Sequence, residues 1–308
     1  MYNKSMHKNL HHLVKKLKKN IQMPFYLRPF RKRVEKAIDT LAQTQAGKDL
    51  LMHIGDVPKE INIRLLSSND AGSYNGSTKK LTLNGVLLKK SEKENLVCTM
   101  GHELFHKMLY DQKMGLYKKK MSPSQIITLE ILNEASATAF EKALLMETFP
   151  EKARQDRDLS VAFQIFEKTK KENGLQTAHK KTQAFLVKAL LTEELLPVRY
   201  FDWLGSYLHL ACLYTKFSFV HDGDRVSYEG NHKSYQTILN RYTQMYHPFL
   251  KVTDLDRDII SSDEDVEKDV QQFTDAIRRF KTERPKGVPD TKQTRIQAII
   301  RTRGLDRI

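Results

Sequence analysis

The sequence predicts an α+β protein in which a small antiparallel sheet precedes two long helices, with a mostly helical C-terminal region after them. Apolar and polar residues alternate over residues 60–66 and again over 79–84, as they do in half-buried strands. Over residues 92–110 and 123–148 the apolar residues instead recur at the three- and four-residue spacing of helices. With 308 residues, the chain can form one large domain or two modest ones.

The first forty residues are strongly basic. They contain eleven Lys and Arg residues but only two acidic ones, so they contribute +9 to a formal net charge of +15. Pro24 and Pro29 separate two helical patterns in this segment. We interpret residues 1–45 as a basic helical arm that either packs on the core or binds an acidic partner, nucleic acid or an anionic membrane.

Short local signals set the limits of the central elements. Gly72, Ser73 and Tyr74 lead into Asn75 and Gly76, which suit the tight turn of a hairpin before the strand at 79–84. Ser91 and Glu94 form a capping box before the first long helix, and Pro123 suits the first position of the second.

The chain is predicted to continue beyond a core of residues 46–150 into a helical subdomain, 151–250, and an acidic-then-basic extension, 251–308. The apolar stretch 203–220 contains a histidine and a lysine and is shorter than the roughly 20 residues of a membrane span, so we expect a core helix. No signal-peptide pattern follows the basic start, and there are only two cysteines. We therefore expect a cytoplasmic protein.

The clearest chemical signal lies in the first long helix, where residues 102–106 read H-E-x-x-H. At about 100° per residue, His102 and His106 lie one turn apart on one side of the helix, so both imidazoles can bind one cation. Glu103 lies on the adjacent flank, where its carboxylate can take a proton from water activated by that cation. The composition predicts only about 0.02 accidental matches to this pattern, so chance is a poor explanation.

A catalytic zinc site commonly has three protein ligands, so a third ligand is expected elsewhere. Glu134 is the strongest candidate, because it lies on the second long helix among small residues that allow close helix approach. Glu130, one turn earlier, and Asp111, at the end of the motif helix, are the alternatives.

Over residues 60–148 the chain resembles the gluzincin zinc metallopeptidases, in which an H-E-x-x-H helix is followed by a second helix that supplies a glutamate ligand. The resemblance implies a zincin-like core and a Zn²⁺ ion held by His102, His106 and Glu134. It also implies a hydrolase that cleaves a peptide or protein substrate, with Glu103 as the general base.

Two details of this resemblance concern the substrate and the orientation of the ligands. In the family an edge strand aligns extended substrate, and the strand at 79–84 occupies the matching place. Ala137 and Thr138 stand where thermolysin-like members have Ser and Asp, so the groups that orient the histidines stay unassigned.

Further tyrosine and histidine side chains also carry expectations about the site. A donor that stabilises the oxyanion is expected, and the candidates are Tyr74, Tyr207, His209, His221 and Tyr228. Six further histidines are expected in loops or at the surface rather than in a second metal site, namely His7, His11, His12, His179, His232 and His247.

The alternative to a peptidase is a binding protein in which the metal site is structural or regulatory. Its evidence is the positive charge alone, which attracts nucleic acid or an anionic membrane surface. Stoichiometric zinc together with hydrolysis distinguishes the peptidase from this alternative.

Overall fold

The computed structural model describes residues 4–65, 71–86, 93–114, 123–191 and 232–255. Its helices are α1 (Lys4–Lys19), α2 (Arg31–Gln43), α3 (Gln45–His53), α4 (Lys93–Asp111), α5 (Pro123–Thr148), α6 (Pro150–Gln155), α7 (Ser160–Asn173), α8 (Leu175–Leu191), α9 (His232–Tyr246) and α10 (Val252–Leu255). Its strands are β1 (Ile21–Gln22), β2 (Glu60–Arg64), β3 (Gly72–Asn75) and β4 (Lys80–Asn84). The described residues are mostly helical and include a four-stranded sheet, so the α+β class is confirmed.

The chain divides into two compact units. The first consists of residues 1–116, 133–188 and 241–251, and the second of 117–132, 189–240 and 252–308. All four strands belong to the first unit, together with α4 and the part of α5 that begins at Asn133. The four-part division expected from the sequence stays a prediction.

The sheet is mixed, which corrects the antiparallel sheet expected from the sequence. β1, β2 and β4 run parallel, and β3 runs antiparallel to β4, in the order β1-β2-β4-β3. The strand expected at the edge, residues 79–84, therefore corresponds to β4 inside the sheet, and β3 is the outer strand next to it. The reason is that apolar alternation identifies a strand without specifying its neighbours.

The hairpin between β3 and β4 is confirmed. Asn75 Oδ1 accepts hydrogen bonds from Ser77 Oγ at 2.8 Å and from the Thr78 amide at 2.9 Å, which holds the turn. Leu81 and Leu83 of β4 are buried in the core.

The two long helices also agree with the sequence prediction. α4 covers almost the predicted segment, 92–110, and α5 covers 123–148. α4 packs against α2, α3, β3 and β4, so the motif helix lies between the helical layer and the sheet. The capping residue Ser91 and the predicted helix at 203–220 lie outside the described residues.

The N-terminal helix packs on the core, which is one of the two roles expected for the basic arm. α1 contacts α2 and α3, and Leu17 is fully buried. Lys16 and Lys18 form ion pairs of 2.6 Å with Asp56 and Asp39. Within the described part of the chain, no helix has both the length and the apolar character needed to cross a bilayer.

Candidate metal centre

The three predicted metal ligands converge in the first unit. His102 and His106 project from α4, and Glu134 reaches them from α5. The two histidine Nε2 atoms are 3.1 Å apart. Glu134 Oε2 lies 3.5 Å from Nε2 of His102, and Oε1 lies 3.3 Å from Nε2 of His106. This group can hold a metal ion.

These separations suit a tetrahedral metal. With ligands at about 2.0–2.1 Å, the donor atoms around tetrahedral zinc lie about 3.3–3.4 Å from one another. The two imidazole nitrogens, 3.1 Å apart, are close to that separation, and each lies 3.3 or 3.5 Å from a different oxygen of Glu134. The side chains are 16–29% exposed, so water can approach the cluster.

Close packing of α4 against α5 brings the ligands together. A Cβ atom on Gly101 would lie 2.7 Å from a methyl group of Leu144 and 3.2 Å from the ring of Phe140, so the absence of a side chain permits this approach. One turn further along α4, the ring of Phe105 stacks on Phe140 with 4.9 Å between centroids. Gly101 and Phe105 therefore fix the spacing of the two helices.

A residue that the sequence analysis missed orients the first histidine. Glu141 Oε2 lies 3.2 Å from His102 Nδ1, on the opposite side of the ring from Glu134. Such a carboxylate accepts the Nδ1 proton and leaves the Nε2 lone pair for a metal. Glu141 follows Glu134 by seven residues, which is close to two helical turns, and that spacing was the available signal.

The charges of the cluster are strongly coupled. Burial alone would lower the pKa of His102, but hydrogen bonds to Glu134 and Glu141 raise this pKa to about 10. Burial would raise the pKa of Glu134, but the imidazoles of His106 and His102 lower it far below its usual range. The metal-free cluster is thus held together by opposite charges.

Glu103 lies between the motif helix and the sheet. Its side chain is buried, and a Cβ atom on Gly72 would lie 3.0 Å from Glu103 Oε1 and 3.0 Å from Cγ. β3 therefore passes directly beside this carboxylate. Burial raises the pKa of Glu103 to about 7, against the opposing effect of His106 and His102.

Of the two alternative third ligands, Asp111 is described and does not join the cluster. Asp111 Oδ2 accepts from Lys107 Nζ at 2.6 Å and from the Gly55 amide at 3.2 Å. Five residues after His106, Asp111 lies about 140° around the helix and faces away from Glu134. The side chain of Glu130 lies outside the described residues.

Of the candidate oxyanion donors, the structure describes Tyr74. It lies on β3 two residues after Gly72, and its ring contacts that of Tyr110 edge-on. Its hydroxyl is buried without a partner among the described residues, and burial raises its pKa to about 12. Tyr207, His209, His221 and Tyr228 lie outside the described residues.

A distant helix also contacts the metal-binding segment. The hydroxyl of Tyr242 on α9 donates to Asn133 Oδ1, and Asn133 immediately precedes Glu134. Both Asn133 and Tyr242 are buried. This hydrogen bond therefore links the residue next to Glu134 to a helix 109 positions further along the chain.

One expected histidine placement is wrong. His179 lies inside α8 and is buried, with Nε2 2.8 Å from Glu147 Oε2, whereas a loop or surface position was expected. Its burial arises from the packing of α8, which the local sequence does not specify. His11, His12 and His247 are exposed as expected, and the side chains of His7 and His232 lie outside the described set.

The chain matches no protein-family model, no curated protein and no solved structure at a significant level.

Proposed function

We propose that this chain is a cytoplasmic, zinc-dependent peptidase with a zincin-like core. The observation that carries the proposal is the convergence of the His102 and His106 imidazoles with the Glu134 carboxylate, with Glu103 directly after His102 on the same helix. Two nitrogens and one carboxylate oxygen, all partly accessible, are a donor set typical of catalytic zinc, which keeps one position for water.

Zinc held by these ligands would supply Lewis-acid polarisation of the scissile carbonyl and would lower the pKa of water. Glu103 takes the proton from the attacking water as the oxygen adds to the carbonyl carbon. The same carboxyl then gives the proton to the amide nitrogen as the C–N bond breaks. A buried Glu103 with a pKa near 7 suits both transfers near neutral pH.

The outer strand β3 supports a peptide as the substrate. β3 lies next to Glu103 and pairs on one side with β4, so its other side is available to an extended peptide within the described sheet. A peptide bound there by backbone hydrogen bonds would pass beside the proposed catalytic base. Backbone hydrogen bonding between β3 and a peptide does not select a particular substrate sequence.

Replacing Glu103 with Gln tests the role of the base. The amide keeps the shape of the side chain beside Gly72 but cannot take a proton, so we expect hydrolysis of an unfolded protein to fall by at least about 100-fold. Zinc content, measured by elemental analysis of the purified protein, should stay at one per chain. Full activity in this variant would contradict the assigned mechanism.

Replacing Glu134 with Ala tests the third ligand. The variant should lose most of its zinc and its activity, because the remaining two imidazoles leave the site incomplete. Glu151→Gln is the matched control, since Glu151 is an exposed glutamate on α6 and should change neither quantity. Equal zinc content in Glu134→Ala and the control would contradict the proposed site.

A binding function is the second candidate, and one surface favours it. Phe25 and Tyr26 are 80% and 57% exposed, and the Arg28 guanidinium lies 5.4 Å from the centre of the Phe25 ring. Exposed aromatic and basic groups together suit nucleic acid or an anionic membrane. Salt-sensitive binding of an oligonucleotide or of phosphatidylserine vesicles by metal-free protein, abolished in Phe25→Ser/Tyr26→Ser, would support it.

A further inference from the structure

A cavity of about 680 Å³ lies in the first unit, apart from the metal centre. Its apolar wall is formed by Leu50, Phe105, Met108, Phe140 and Tyr246. None of the three proposed metal ligands lines it. Its volume lies in the range of sites that enclose small organic molecules, about 300–1,000 Å³.

One polar group in this cavity has an unfilled hydrogen-bonding position. His179 is buried and lines the cavity, and its Nε2 lies 2.8 Å from Glu147 Oε2. Hydrogen bonds with His179 and with the amides of Gln45 and Ala46 outweigh burial and lower the pKa of Glu147, so its carboxylate is ionised and Nε2 donates to it.

The other ring nitrogen, His179 Nδ1, is buried without a partner among the described residues. This atom has less than 1 Å² of accessible surface, so a molecule in the cavity does not reach it without a change in the surrounding side chains.

The charges that line the cavity favour an anion. Lys180 and Arg241 both contribute to the lining, and Arg241 is held in place because its Nη1 donates to the Gln112 carbonyl at 2.7 Å. Asp49 is the acidic residue of the lining, and its Oδ1 accepts from Gln45 Nε2 at 2.8 Å. The lining thus contains two basic side chains and one acidic side chain.

We propose that this cavity is a binding site for an amphipathic organic anion. Its apolar body packs on the wall that includes Phe105 and Phe140, and its anionic group lies near Lys180 and Arg241. The proposal does not depend on the peptidase, because the cavity and the metal ligands are separate sets of residues.

The test uses the full chain and two fluorescent probes. 8-Anilinonaphthalene-1-sulfonate has an aromatic body, an N–H donor and a sulfonate, and N-phenyl-1-naphthylamine has the same body and donor without the charge. Fluorescence titration of each probe, with and without zinc, gives affinity and stoichiometry. We expect the sulfonate to bind at one per chain under both conditions.

Two pairs of variants locate the bound probe. Lys180→Glu should weaken binding of the sulfonate by roughly five- to tenfold and that of the uncharged probe by less than about twofold. Lys181→Glu is the control, because Lys181 is an exposed neighbour on the same helix that does not line the cavity. Met245→Trp fills the cavity and should weaken both probes, whereas Val161→Trp, at an exposed site on α7, should weaken neither.

Three results would overturn the proposal. One is the absence of saturable binding, and the second is an equal loss of affinity in Lys180→Glu and Lys181→Glu. The third is unchanged binding in Met245→Trp, which would place the probe elsewhere. Absence of zinc binding or of hydrolysis in the wild-type protein, with probe binding intact, would contradict only the proposed function.

Discussion

At the scale of single residues, the chemistry of the site depends on which nitrogen of His102 carries a proton. Glu141 lies at Nδ1, and Glu134 faces Nε2. Because an ionised carboxylate only accepts hydrogen bonds, Glu141 keeps a proton on Nδ1 and directs the Nε2 lone pair toward the proposed metal. Removing the charge of Glu141 should therefore weaken metal binding without removing a ligand.

Glu141→Gln is expected to lower zinc affinity by about 10- to 100-fold, the usual range for a group that supports a metal-ligating histidine. Competition with a zinc-binding dye measures the affinity, and Glu151→Gln again serves as the surface control. Unchanged affinity would show that the contact of 3.2 Å between Glu141 and His102 is incidental.

At the scale of elements, Glu147 at the end of α5 joins two other helices. Its carboxylate accepts from the amides of Gln45 and Ala46 at 2.6 and 3.1 Å, so it caps the N-terminus of α3. It also contacts His179 of α8. One side chain thus stabilises a junction of three helices near the proposed anion cavity.

The contribution of Glu147 to this junction should appear in the pH dependence of the free energy of unfolding. The pKa of Glu147 is lowered on folding from its ordinary value of 4.5, so its ionised form stabilises the fold above about pH 5, and this contribution is lost as the pH falls further. Glu147→Gln should lower the free energy of unfolding by about 1–3 kcal/mol at pH 7. The difference from the wild type should shrink toward pH 3, as measured by urea unfolding, and a constant difference would contradict this role.

The contact between β3 and α4 gives a second prediction at this scale. In Gly72→Ala the new methyl group would lie 3.0 Å from Glu103 and 3.1 Å from the Thr82 carbonyl, so the base must shift. We expect hydrolysis to fall about tenfold with zinc content unchanged. Gly55→Ala is the matched control, since its nearest contact is an ordinary 3.8 Å. Equal rates in the two variants would show that Glu103 tolerates the methyl group.

At the scale of the whole molecule, the N-terminal helix contributes to the core as well as to the charge. Leu17 is fully buried among α1, α2 and α3, whereas Val161 on α7 is 53% exposed. Leu17→Ala should lower the free energy of unfolding by about 2–4 kcal/mol, and Val161→Ala by less than about 0.5 kcal/mol. Equal midpoints of urea unfolding for Leu17→Ala and Val161→Ala would indicate that α1 contributes little to the stability of the core.

The two long helices could be predicted closely because long periodic patterns and a cap or a first-turn proline agree on their limits. Sheet order could not be predicted in this way. β1 has two residues, too few for a pattern, and the pairing of Ile61 with Leu81 joins strands that are not neighbours in sequence. Local alternation carries no information on such pairing.

The candidate ligands could also be predicted, because His102 and His106 follow a fixed spacing and Glu134 lies on a recognisable helix. Glu141 was not predicted, because it lies almost two helical turns beyond Glu134 and the short motif around Glu134 does not extend that far. The burial of His179 depends on which helices surround α8, and that is a property of the folded unit.

The hydrogen bond from Tyr242 to Asn133 has a consequence for synthesis of the chain. All four residues proposed for catalysis leave the ribosome before α9 has been translated. Until then Asn133, the neighbour of Glu134, lacks this hydrogen-bond partner. If the proposed function holds, we expect a nascent chain to reach full hydrolytic competence only after Tyr242 has emerged.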